Sequence, residues 1–331
     1  MGANLNEGRI FYVGSEGKPW HGIGTELDKP ATAKEAIQAA RLDYRVEKSE
    51  RPVFCRDQSG NEIKVHDHYG IYRSDTKQSL GCVGKGYKII QNESSFDFFD
   101  SVVGEGKAIY NTAGALGRGE RIWILAKLPG KMIISKEDEV EKYLLLTNSH
   151  DGKSSLRMYF TPIRVVCQNT LNASMQHAKG GVSIRHTGNI EAKVEEAQRI
   201  LGLATLFYSD FEIISNKMAD TKLDKAGAED FFNKIIFGEK EEADTSTRAQ
   251  NQRDDLLGLF ENGKGNRLPG VKHSVWAAYN AITEYADHHK TVRGEKQDPS
   301  LRLNSIWFGS GASLKTKAYN QALEFAGIVQ R

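Results

Sequence analysis

The stretch Tyr143-Leu-Leu-Leu-Thr-Asn-Ser-His-Asp-Gly-Lys-Ser-Ser-Leu-Arg-Met-Tyr-Phe-Thr-Pro-Ile-Arg-Val-Val166 decides how this chain is read. A buried-strand run, Tyr143 to Leu146, breaks into a polar turn from Thr147 to Ser154 and resumes from Leu156 to Val166. That pattern is two strands around a turn. Beyond it, Cys167-Gln-Asn-Thr-Leu-Asn172 opens a segment whose apolar residues Leu171, Met175 and Ala178 recur at helical spacing, which predicts a helix. Between His150 and His186 there are five Lys or Arg (Lys153, Arg157, Arg164, Lys179, Arg185) against one acid, Asp151. The stretch is locally basic.

Working outward towards the N-terminus, glycines and Trp20-His-Gly-Ile-Gly24 read as an extended arm, and Thr32 with Glu35 as the capping box of a short helix. Alternation from Tyr44 to Tyr72 around Asp57-Gln-Ser-Gly-Asn61 predicts a hairpin. Leu80 to Gln91 continues as strand, and its glycines 81, 84 and 86 mark a bulge or a close backbone approach. Asn92 is expected to cap a helix carrying Phe96, Phe99 and Val103, which Gly104 ends. Ala108–Asn111 and Arg121–Leu128 form another hairpin, and the charge run Lys136–Lys142 reads as a solvated loop.

After Gly188 helical spacing takes over. Ile190, Val194, Ala197, Leu201, Ala204, Tyr208 and Phe211 trace the seam of a long helix that packs along another helix, and so predict self-association into a homo-oligomer. Later helices are marked by Phe231–Ile236, Leu256–Phe260, Val271–Tyr285 and Leu314–Phe325, while polar, uncapped Thr245–Arg253 is expected to be mobile. The fold class is α+β. An antiparallel, hairpin-rich sheet with packed helices and an N-terminal arm occupies residues 1–187, and a mainly helical portion follows over 188–331.

The totals exclude several classes. A net charge of +2 over 331 residues cannot coat a nucleic acid, so any such site is a local patch. Three cysteines, Cys55, Cys82 and Cys167, are too few and too scattered for a disulfide framework or a Cys-x-x-Cys zinc site. With neither a charged-then-apolar leader nor an apolar run near the roughly 18 residues of a membrane helix, a cytoplasmic protein without membrane contact is expected.

No catalytic set, metal or cofactor is predicted. Thr147-Asn-Ser-His-Asp-Gly-Lys-Ser154 resembles a phosphate-binding loop, yet its first glycine is missing and a strand pattern follows where a helix must. His66 and His68 share one side of a strand with Asp67 on the other, which suits surface histidines better than a metal site. Cys167 reads as a buried thiol. Arg164, among Ile163, Val165 and Val166, either faces the polar side of the sheet or is buried and paired, and both arrangements suit an anionic ligand as well as an internal aspartate.

Trp20-His-Gly-Ile-Gly24, Val83-Gly-Lys-Gly-Tyr-Lys88 with Gln91-Asn92, Ser149-His-Asp-Gly152, Thr161-Pro-Ile-Arg-Val-Val-Cys-Gln-Asn-Thr-Leu171 and Ser305-Ile-Trp-Phe-Gly309 together resemble a phage and plasmid family known as domain of unknown function 932. The resemblance implies a mobile genetic element and DNA handling or anti-defence work, with no settled activity. The strand-strand-helix order is also similar to that of Rad52-like annealing proteins. The expectation is a single-stranded nucleic-acid-binding protein. Lys85, Lys88, Lys153, Arg157 and Arg164 supply charge, Asn148, His150, Gln168 and Asn169 polar contacts, and Tyr87 a ring for base stacking. The partner is single-stranded DNA or RNA; the alternative partner is a host defence enzyme that the protein binds and blocks.

Overall fold

A computed structural model describes residues 10–13, 24–29, 31–103, 109–164, 166, 169–170, 181–184, 193–238, 246–296 and 300–328. Its strands are β1 (Ile10–Val13), β2 (Thr25–Leu27), β3 (Val46–Arg56), β4 (Glu62–Arg73), β5 (Ser79–Gly84), β6 (Ile109–Leu116), β7 (Arg121–Ile134), β8 (Asp138–Ser149), β9 (Leu156–Arg164), β10 (Asn169–Thr170) and β11 (Gly181–Ile184). Its helices are α1 (Ala33–Ala39), α2 (Asn92–Val103), α3 (Lys193–Asp220), α4 (Lys225–Ile236), α5 (Thr247–Asn262), α6 (Val275–Glu284), α7 (Ser300–Phe308) and α8 (Ser310–Phe325), with a π-helical turn at Tyr285–His289. The fold is α+β.

The larger sheet runs β10-β9-β8-β7-β6-β1-β2, with β11 also paired to β9; β3-β4-β5 form a second, smaller sheet. The central β7-β8-β9 ladder is antiparallel, with Trp123 opposite Thr147 and Thr147 opposite Arg157. Side chains alternate between faces along each strand. Ile122, Ile124, Leu144, Leu146, Met158 and Phe160 therefore share the face packed against α2, α3 and α6, in the main core. Trp123, Leu125, Tyr143 and Leu145 share the other, which α7 covers with Leu303, Ile306 and Trp307. Helices on both faces explain why Tyr143–Leu146 is apolar without alternation.

Several features differ from the sequence reading, among them the strand expected over Leu80–Gln91, which ends at Gly84. Asn169 and Thr170 pair with Arg164 and Ile163 as an edge strand; Leu171, Met175 and Ala178, whose spacing predicts a helix, lie outside the described residues. The acidic run after Lys136 is no solvated loop: Ser135 and Lys136 turn through positive φ, and Asp138 and Val140 are already buried in β8. Thr247–Arg253 lies in α5, whose N-cap Ser246 accepts from the Ala249 amide. Of the α3 seam, the described side chains Ala204, Tyr208 and Phe211 lie in the chain's own core, beside α6 and α8, and Ile190 lies outside the described residues. Tyr208 is 2% exposed, its hydroxyl donates to the Tyr143 carbonyl, and Phe211 stacks on Tyr319. Tyr208 is thus a core residue of one chain. Asn216 adds a clamp at the β7–β8 turn, accepting from the Ser135 amide (2.9 Å) and donating to the Ile133 carbonyl (3.2 Å).

The capping box is formed as read, with the Thr32 amide donating to Glu35 Oε2 (2.9 Å) and the Glu35 amide to Thr32 Oγ1 (3.3 Å). Gly104 and Cys167 lie outside the described residues. No helix among the described residues is long and apolar enough to cross a membrane.

Candidate nucleic-acid interface

The β8–β9 turn is held at one end of the large sheet by backbone contacts from three directions. The His150 amide donates to the Glu120 carbonyl in the β6–β7 turn (2.7 Å), the Tyr87 hydroxyl to the Ser149 carbonyl (3.1 Å), and Asn148 Nδ2 to the Ile90 carbonyl (3.1 Å). Beneath it, His150 Nε2 meets Asn92 Oδ1 at 2.9 Å, and Asn92 Nδ2 donates to the Leu42 carbonyl (2.9 Å). Asn92 thus ties the β8–β9 turn, through His150, to the Leu42 carbonyl. Asp151 shapes the tip by accepting from the Ser149 hydroxyl and from the Lys153 amide (3.0 Å).

Glycine 81 is what lets β5 lie under this tip. A Cβ there would sit 2.8 Å from Asp151 Cα and 3.0 Å from its Cβ, closer than side-chain carbons pack. Gly81→Ala is therefore expected to cost about 1–3 kcal/mol as the tip is pushed off β5. Urea unfolding checks this, and an unchanged midpoint would mean that the tip moves freely.

Around the tip the exposed cations gather. Lys153 has a side chain 81% exposed and only a loose 3.6 Å pair with Asp151. Lys85 and Lys88 are exposed on the linker after β5, which Lys48 anchors by donating to the carbonyls of Gly84 (3.1 Å) and Lys85 (2.7 Å). Arg157 is exposed on β9, its guanidinium touching Tyr159 Oη at 3.4 Å.

The other expected contacts are placed elsewhere. Asn148 and His150 are fully buried inside the network just described, so they build the turn and do not face a ligand. Arg164 is also fully buried. Its Nε lies 2.8 and 2.7 Å from the two oxygens of Asp138, and its Nη1 donates to the Lys264 carbonyl (3.0 Å) and Asn266 Oδ1 (3.2 Å). Trp276 Nε1 donates to the same aspartate at 2.8 Å. Register supplies the reason: positions 157 and 164 differ by an odd number, so one strand sends them to opposite faces. Tyr87 is half-buried with its ring against the main core, and burial, followed by the Asp151 carboxylate, pushes its phenol up. Gln168 lies outside the described residues, and of Asn169 only the strand backbone is described.

Sequence reading missed Arg121 and Asn304, which with Glu120, Asp151, Lys153 and Leu301 line a 240 Å³ cleft beside the tip. Arg121 stands directly opposite Ser149 in the β7–β8 ladder, with its guanidinium 5.1 Å from the Phe308 ring centroid. Hairpin pairing back from the turn was the signal that could have found it; nothing local points to Asn304.

Thr147–Ser154 has no helix after it, because β9 begins at Leu156. His66 and His68 are exposed on β4, and among the described residues no three His, Cys, Asp or Glu side chains are arranged to hold a metal ion.

A family model described as "Domain of unknown function (DUF932)" matches residues 79–307, from the first residue of β5 to α7. The chain belongs to the DUF932 family. The DUF932 match takes in the linker, the β8–β9 tip and all but the last residue of α7, and so contains both sides of the cleft. Neither a curated protein nor a solved structure is significantly similar to the chain.

Proposed function

We propose that this DUF932 protein binds single-stranded nucleic acid at the β8–β9 tip, through Lys85, Lys88, Lys153 and Arg157 with Arg121 beside them. One observation carries the reading: the tip packs on β5 and its linker, so cations distant in sequence are gathered, exposed, at one end of the sheet. Such a patch neutralises phosphates without reading bases. A cytoplasmic setting goes with it, since Cys55 and Cys82 are exposed and unpaired. An annealing role would need a multimer, for which Leu206 (65% exposed) and Ile213 (66%), two turns apart on α3, are available apolar surface. The second reading, a mobile-element protein that blocks a host defence enzyme, draws on Phe54 (52% exposed) and Ile63 (50%) of the β3–β4 ribbon.

Fluorescence anisotropy with a labelled thymidine oligonucleotide tests the first reading. The logarithm of the binding constant should fall by roughly 0.7 per contact for each unit of log salt, and Lys153→Ala should lower that slope by about one contact. Its stability should stay within ~0.5 kcal/mol of wild type, because the residue is exposed. Absence of binding by the folded protein at low salt would overturn the proposal and leave the blocking role as the better reading.

A further inference from the structure

A second cleft, of 250 Å³, lies on the far side of the first turn of α7, lined by Lys290, Arg293, Leu301, Asn304, Ser305 and Ser310 among others. It shares Leu301 and Asn304 with the 240 Å³ cleft that holds Arg121 and Lys153. The two are therefore neighbouring depressions on one surface. From the geometry of these clefts we infer that the phosphate track does not stop at the β8–β9 tip but crosses α7 at Asn304 and continues along Lys290 and Arg293. This rests on the nucleic-acid reading above and adds the path of the strand and a second group of contacts.

Three features carry it. The first is an excess of positive charge held in place. Lys290 Nζ donates to Ser310 Oγ at 3.0 Å, and Arg302 braces the segment by donating to the carbonyls of Asp287 and Lys290, both at 3.1 Å, while pairing with Glu295 at 2.6 Å. Burial, then Arg248 and Arg302, pull the Lys290 ammonium below its ordinary range, and only Glu295 opposes them. Cations crowded in this way are relieved by an anion.

The second feature concerns the acids. In the first cleft, Glu120 Oε2 accepts from the Arg118 amide (2.6 Å) and Asp151 Oδ1 from the Lys153 amide (3.0 Å). Both carboxylates are thus fixed by backbone donors while they match Arg121 and Lys153 charge for charge in this cleft, so the excess of positive charge lies in the second cleft, at Lys290 and Arg293.

The third is size. Each cleft is smaller than the ~300–1,000 Å³ of pockets that engulf a small molecule. Shallow depressions in series, with an amide and hydroxyls between the charges, suit a chain that passes over them, phosphate by phosphate.

The probe is a labelled thymidine oligonucleotide of roughly 16 nucleotides, the upper span of a single binding module. Lys290→Ala/Arg293→Ala is compared with Lys153→Ala and with Lys217→Ala/Lys272→Ala, which removes the same charge from exposed positions elsewhere. The first double variant should lower the salt slope by about 1.4, so that a fourfold rise in salt weakens it about sevenfold less than wild type. The control pair should leave the slope unchanged. If only Lys153→Ala changes the slope, the strand ends at the tip, and the track is wrong while the nucleic-acid reading stands. Equal effects from the control pair would reduce the track to net charge and overturn it. If wild type binds nothing, both readings fall.

Discussion

Arg164→Ala is expected to cost about 3–5 kcal/mol of stability, a large share of the ~5–15 kcal/mol that holds a typical domain folded. The loss is not one of surface charge. Removing the guanidinium strands Asp138 at 0% exposure with Trp276 Nε1 as its remaining side-chain donor, and takes a donor from the Lys264 carbonyl and Asn266. A buried carboxylate without its counter-ion is the expensive half of a broken pair. Because Asp138 starts β8, Arg164 ends β9, and Lys264 and Trp276 belong to the helical layer, the variant loosens sheet and helices together. Arg164→Met with Asp138→Asn should recover most of the loss, since no charge is then left buried. Urea midpoints measure both. An Arg164→Ala protein of wild-type stability but weakened for nucleic acid would restore this arginine to the binding surface.

Lys315→Ala should be of similar size, about 3–5 kcal/mol, for the same reason one strand over, where β10 pairs with the end of β9. Lys315 is fully buried in α8, its Nζ bonded at 2.7 Å to Asp287 Oδ1 and at 2.5 Å to Thr170 Oγ1. The other oxygen of Asp287 accepts both the amide and the hydroxyl of Thr170, each at 2.8 Å. Three segments thus meet at one ion pair: the edge strand β10, the π-helical turn and the C-terminal helix. Burial pulls the ammonium down while Asp287 holds it up, so the pair stands on its hydrogen bonds. Without Lys315, Thr170 is the remaining side-chain partner of the Asp287 carboxylate among the described residues. Hydrogen exchange at the Thr170 amide should rise with the loss of stability. Lys315→Met combined with Asp287→Asn should fall well short of the single variant's cost, and equal losses from the two would assign the effect to packing alone.

Both predictions turn on information that no local window contains. Strand, turn and helix patterns are local, and they were legible: the hairpin around Asp57–Asn61, the Thr32–Glu35 capping box and the two strands flanking Thr147–Ser154 all follow from residues within a few positions of one another. The α+β class came with them. Of the candidate site, the exposure of Lys153 could be read, because it stands in a polar turn; that of Arg157 could not, because other odd positions of β9 such as Thr161 are buried. The parity of 157 and 164 already forbids both arginines from serving one ligand on one face.

Tertiary structure alone decided the rest. The sequence left Arg164 open between a ligand and an internal acid because its partner, Asp138, sits 26 positions away in a run of charges that reads as solvated. Asp138 is further committed by Trp276, 138 positions on, and Lys315 by Thr170, 145 positions back. The α3 seam is apolar whether it meets a second copy or its own sheet, since burial has the same compositional pattern in both cases. Composition tells that a charge or a stripe must be covered; which element covers it depends on distances the chain sets only when it folds.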